Sequence, residues 1–156
     1  MKKLFIKLFM LTGMALACAN TLNAKNSLTI NPLAGKYQRK ISAEELVLNN
    51  GAKWKVDRST NGNVDNLKLI FKGFDNSTDR SLKAYKKAGN GLQNGLAKMI
   101  KECRMHGPDH LALHKWLEPL MAQVTKLEHA PTNAAATQST NFIRLQLSRY
   151  NQFFEL

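Results

Sequence analysis

Cysteine, proline and aromatic side chains are all scarce in this chain, and acidic residues fall far short of basic ones. Two cysteines in 156 residues cannot staple a small secreted scaffold, which needs several bridges. No apolar run reaches the ~20 residues of a membrane-spanning helix, so a polytopic membrane protein is excluded. There are no repeats at solenoid spacing and no low-complexity tract beyond Ala134-Ala135-Ala136. What is present, 44% apolar and 22% charged residues, is the composition of a globular protein of about one domain rather than of a disordered chain.

The first segment reads as a secretory signal. Lys2, Lys3 and Lys7 precede the apolar run from Leu8 to Ala19, and small residues follow it, the order of a charged, an apolar and a cleavage region. A signal peptide over 1–24 is expected, cut after Ala19 in Ala17-Cys18-Ala19 or after Ala24 in Leu22-Asn23-Ala24. The mature protein is then periplasmic or secreted. The alternative is a lipoprotein anchored through Cys18: Ala15-Leu16-Ala17-Cys18 resembles a bacterial lipobox but lacks the Leu three residues before the Cys. Membrane contact is expected only in that case.

Loss of 1–24 removes three lysines and no acid, leaving 20 Lys+Arg against 11 Asp+Glu, a formal charge of +9 in place of +12. In an exported protein this excess points to anionic surfaces, such as lipid headgroups or acidic polysaccharide, more than to nucleic acid, and a solvated basic surface accounts for it. The basic residues are scattered, with Lys86-Lys87 an adjacent pair. Nothing resembles a basic arm or an aromatic-interleaved basic face, so no nucleic-acid partner is expected.

Residues 25–60 read as an N-terminal arm. Pro32 and Gly35 interrupt it, Ser42-Ala43-Glu44-Glu45 has capping-box spacing for a short helix, and Asn49-Asn50-Gly51 ends that helix. Lys53-Trp54-Lys55-Val56 alternates like a strand, but no partner strand is evident. It is read as an extended segment laying Trp54 and Val56 on helices.

From about Asn61 the pattern is helical. Val64, Leu67, Ile70 or Phe71, and Phe74 form one stripe, and Asp75-Asn76-Ser77-Thr78 a turn. Leu82, Tyr85, Leu92, Leu96, Met99, Ile100 and Cys103 form a second. Gly89, Gly91 and Gly95 within it imply a break or a close helix contact. Gly107-Pro108 separates it from a third helix carrying Leu113, Leu117, Leu120 or Met121, Val124 and Leu127, which Pro119 should bend. Pro131-Thr132-Asn133 opens a fourth, with Ile143, Leu147, Tyr150 and Phe154 in line. Four helices on short turns, each with one apolar stripe, predict an all-α antiparallel four-helix bundle over 61–156, preceded by an extended N-terminal arm.

Chemistry concentrates in Cys103-Arg104-Met105-His106-Gly107-Pro108-Asp109-His110-Leu111-Ala112-Leu113-His114. Three of the four histidines and the only cysteine after the leader lie here. A lone thiol in an oxidising compartment has no internal partner, so it is either a small apolar core residue or a metal ligand. His110 and His114 are one turn apart on one helical face, and Leu117, Met121 and Val124 continue that row, which turns the pair toward the bundle. Cys103 then faces them across the hairpin, with Met105 and His106 on the turn as further donors and Asp109 as helix cap or as orienter of a ligand. Thiolate, imidazole and thioether are the donors of Cu(I) or Zn(II). His129 is isolated and read as surface.

Other chemistries are weaker. Haem is disfavoured, because C-x-x-C-H is missing and the histidines lie at a hairpin end instead of mid-bundle. No enzyme is expected: a Cys103–His110 nucleophile with Asp109 or Glu118 behind it finds no oxyanion hole or substrate cleft. The competing reading is a bundle that binds an envelope protein partner or surface and holds no metal. The leader, the Trp54 segment and the stretch from Gly107 to Pro119 resemble small exported bacterial helical-bundle proteins of uncharacterised function. That likeness implies fold and export, and no chemistry.

Overall fold

A computed structural model describes residues 45–156. The expected signal peptide over 1–24, Cys18 and the part of the arm up to residue 44 lie outside the described residues. The four apolar stripes are four helices: α1 (Arg58–Asp75), α2 (Leu82–Glu102), α3 (Gly107–Glu128) and α4 (Asn133–Phe153). Three start on side-chain caps. Asp57, Ser81 and Thr132, each in extended backbone, accept from the N–H three residues on, filling a donor the first turn leaves open.

The helices alternate in direction. Ser59 and Asn63 of α1 hydrogen-bond Glu102 at the far end of α2, Leu67 faces Gly95, Ile70 faces Gly91, and Phe74 meets Tyr85 beside the connecting turn. Gly89 of α2 meets Glu128 of α3, and Trp116 of α3 exchanges hydrogen bonds with Gln146 of α4. α4 closes on α1, where Arg144 pairs with Asp75 at 2.6 Å and Lys68 reaches Asn151. This is the antiparallel bundle. Its core is one continuous cluster from Val56 and Val64 through Leu92, Leu96, Leu113, Leu120 and Val124 to Ile143 and Tyr150.

Several local expectations change. α1 begins at Arg58, one turn before the apolar stripe, because Asp57 caps it; its first turn is polar and carries no periodic signal. Of the break or close contact expected at the glycines of α2, the structure has the close contact: the helix runs unbroken, and Gly89, Gly91 and Gly95 each meet a neighbouring helix. α3 is helical on both sides of Pro119. Residues 45–48 carry no helix. Asn50 (φ 51°) and Gly51 (φ 89°) form a two-residue turn closed by Asn49 and Ala52, which bond each other through both backbone groups. Positive φ at both central positions is the Asn-Gly turn.

The extended Trp54 segment does have a partner. Strand β1 (Trp54–Lys55) pairs in parallel with β2 (Phe154–Glu155), in register Trp54 with Phe154. Phe154 therefore leaves the helical stripe predicted for it and ends α4 in extended backbone. The strand pair ties the segment before α1 to the end of α4. Trp116, Tyr150 and Phe154 pack beneath it with ring centroids 5.0–6.4 Å apart.

Candidate metal centre

The link from α2 to α3 is extended because Cys103 leaves helical backbone at φ −62°, ψ 130°. Asp57 holds the link in place: one carboxylate oxygen accepts from the N–H of Thr60, the other from the N–H of Arg104. Burial pushes this carboxyl up, but the hydrogen bonds from Thr60, Ser59 and Arg104 outweigh it and keep Asp57 below its ordinary value. One residue thus fixes both the start of α1 and the approach to α3.

The predicted donors separate into two groups. Met105 is buried in the core at 8% exposure. Cys103 is free, half-buried and packed against the same core. His106, His110 and His114 stand on the outer side of α3. His106 is exposed at the N-cap and makes no side-chain cap. His110 is half-buried and His114 exposed, their ring centroids 4.6 Å apart. His114 Nδ1 lies 3.4 Å from Glu118 Oε1. Asp109 does not turn toward the imidazoles; its carboxylate accepts from the N–H of Lys55 at 3.0 Å, joining β1 to the first turn of α3.

The inward orientation expected for the pair is therefore corrected: the side chain of His114 is 47% exposed. The cause is helical phase. At about 100° per residue, the buried row Leu113, Leu120, Val124 and Leu127 is centred well away from His110 and further from His114. Leu117 and Met121 lie at the edge of that row. Among the described residues, no three His, Cys, Asp or Glu side chains form a group that could hold a metal ion. The structure joins His110 with His114 and brings Glu118 to His114.

Glu118 is the feature the sequence reading missed in this role. Its signal was available: His110, His114 and Glu118 recur every four residues along α3. His129 is at the surface as expected, its Nδ1 3.0 Å from the Thr125 carbonyl at the end of α3.

Desolvation, followed by the charges of His114 and His106, lowers His110 below the ordinary 6.5. The unfolded chain therefore binds this proton more tightly than the folded one. The resulting stability is present above about pH 6.5 and is lost as pH falls through the lower folded value. An NMR titration of the His110 ring without metal should give a midpoint below 6.5; a midpoint at or above it would contradict this environment.

The fold places the chain in the class of all-α four-helix bundles, and among the described residues no helix is long and apolar enough to cross a membrane. No protein-family model, curated protein or solved structure matches the chain.

Proposed function

We propose that the protein is an exported helical bundle that captures a zinc or copper ion on the outer face of α3, with His110 and His114 as its protein ligands. The observation that carries this reading is the pair of imidazoles one helical turn apart, ring centroids separated by 4.6 Å. His-x3-His is the spacing by which a helix offers two nitrogens to one ion. His110 is held toward its neutral form, so its lone pair is free near neutral pH. Glu118, beside Nδ1 of His114, is placed to orient that ring with Nε2 outward, as a carboxylate does behind a ligating histidine.

Two ligands on an open surface leave coordination positions for water or an outside donor, which suits reversible capture better than a closed structural site. Met105 is buried in the core and Cys103 packs against it, away from the imidazole pair in this reading, so the donors the reading uses are nitrogens. That set favours Zn(II) or Cu(II) over the Cu(I) that a thiolate and thioether would select.

Zn(II) at a hundredfold excess over Kd should stabilise the fold by about 2.7 kcal/mol, read as a rise in melting temperature. His110→Ala or His114→Ala should remove most of that rise, and Cys103→Ser and His129→Ala should keep it. An equal rise in the parent and the His110→Ala/His114→Ala double variant would overturn the assignment. The second reading, an envelope partner face without metal, is favoured by Leu111, Leu145 and Phe142, which stand 64%, 57% and 38% exposed along α3 and α4. Under it, neither histidine substitution changes any response to zinc.

A further inference from the structure

The α1–α2 face, remote in sequence from the histidines, carries a cleft of about 600 Å³. Its walls come from the last turns of α1, the turn after it and the first half of α2. The floor is apolar, with Ile70, Phe74, Ala84 and Ala88 lining it. Space exists because the residues opposite are small: a Cβ built on Gly73 meets nothing within 4 Å. Beside the cleft, Arg80 stacks over Phe74 and donates to the carbonyls of Asp75 and Ser77, which stiffens the turn.

The rim is cationic. Lys83 and Lys87 both line the cleft, one turn apart on α2 and therefore on the same side of it. The one acid beside them is Asp79, whose carboxylate already accepts from the N–H of Ser81 at 2.8 Å. An apolar floor of ligand-binding size under two lysines matches an apolar body with one negative head.

We propose that this cleft binds a single-chain amphiphile with an anionic head, such as a medium-chain carboxylate. The chain lies over Ile70, Phe74 and Ala88, and the head sits between Lys83 and Lys87. The site is independent of the imidazole pair, so the test is run with chelator present.

Octanoate and decanoate, below their micelle-forming concentrations, are the probes, with decanol as the uncharged control. Binding is followed by calorimetry and by NMR shifts at Gly73, Ala84 and Ala88. The expected result is one saturable site, with affinity rising roughly fourfold for each added methylene. Lys83→Gln/Lys87→Gln should weaken decanoate about tenfold and leave decanol unchanged. Gly73→Leu places a side chain in the open cleft at a helical position that has room for it. It should abolish binding of both probes while melting no lower than the parent. Shifts spread over the surface without saturation, decanoate binding that survives Gly73→Leu, or an acidic peptide without an alkyl chain binding as well as decanoate would each overturn the proposal.

Discussion

Gly89→Val is expected to cost about 3 kcal/mol, the upper range for overpacking a tight contact, and to lower the melting temperature of the bundle accordingly. A Cβ at Gly89 would sit 2.7 Å from the backbone nitrogen of Glu128 and 2.8 Å from its Cα. Real Cβ atoms do not approach backbone so closely, and a backbone cannot rotate out of the way as a side chain can. α2 and α3 must therefore separate, opening the seam lined by Leu92, Leu96 and Val124. Removing glycine from a helix interior ordinarily gains up to about 1 kcal/mol, so the direction of the result distinguishes contact from propensity. Gly62→Ala is the control: nothing lies within 4 Å of its Cβ, and it should melt at or above the parent. A Gly89→Val protein as stable as the parent would show that the two helices do not meet there.

Trp116→Ala is expected to cost about 3–5 kcal/mol, the range for deleting a buried large aromatic, which is a large share of ordinary domain stability. Trp116 is 1% exposed. Its ring meets Tyr150 edge to face at 5.0 Å and Phe154 at 6.4 Å, and its Nε1 donates to the Gln146 carbonyl at 2.9 Å. The substitution leaves a cavity at the junction of α3, α4 and the strand pair, so Tyr150 and Phe154 lose a ring contact along with the α3–α4 seam. Trp116→Phe keeps most of the volume and loses the indole N–H, and it should cost much less. Urea unfolding followed by circular dichroism measures both. An Ala variant within 1 kcal/mol of the parent would contradict the placement of this ring in the core.

The helices were legible because each carries a stripe of large apolar residues at three- and four-residue spacing, and the turns between them carry Asp, Ser, Thr, Pro or Gly where caps are needed. Local signals of this kind survive in a single sequence. The strand pair was not legible, because two residues at each end of the domain become strands only by meeting one another. Phe154 fits a helical stripe as well as a strand, and nothing within its own neighbourhood decides between them. Asn50-Gly51 did carry a hairpin signal, but the capping-box spacing ahead of it drew the reading toward a short helix.

The candidate site was legible in composition and only partly in geometry. The clustering of Cys103, Met105, His106, His110 and His114 is plain in the sequence, yet which way each points depends on where the apolar stripe of α3 is centred. Leu117 and Met121 look like its middle and are its edge, so the imidazoles turn outward. Cys103 is the first residue of the extended link, where helical phase no longer predicts direction. Met105, in that link, follows its apolar character into the core.

The central claim is that His110 and His114 share one ion. A long-range 1H–15N spectrum of the histidine rings, recorded as Zn(II) is added to one equivalent, tests it most directly. Saturating shifts of the His110 and His114 ring nitrogens at a single equivalent, with His129 unmoved, is the predicted result. Zinc-dependent shifts confined to His129, or no change at His110 and His114 under saturating zinc, would contradict it.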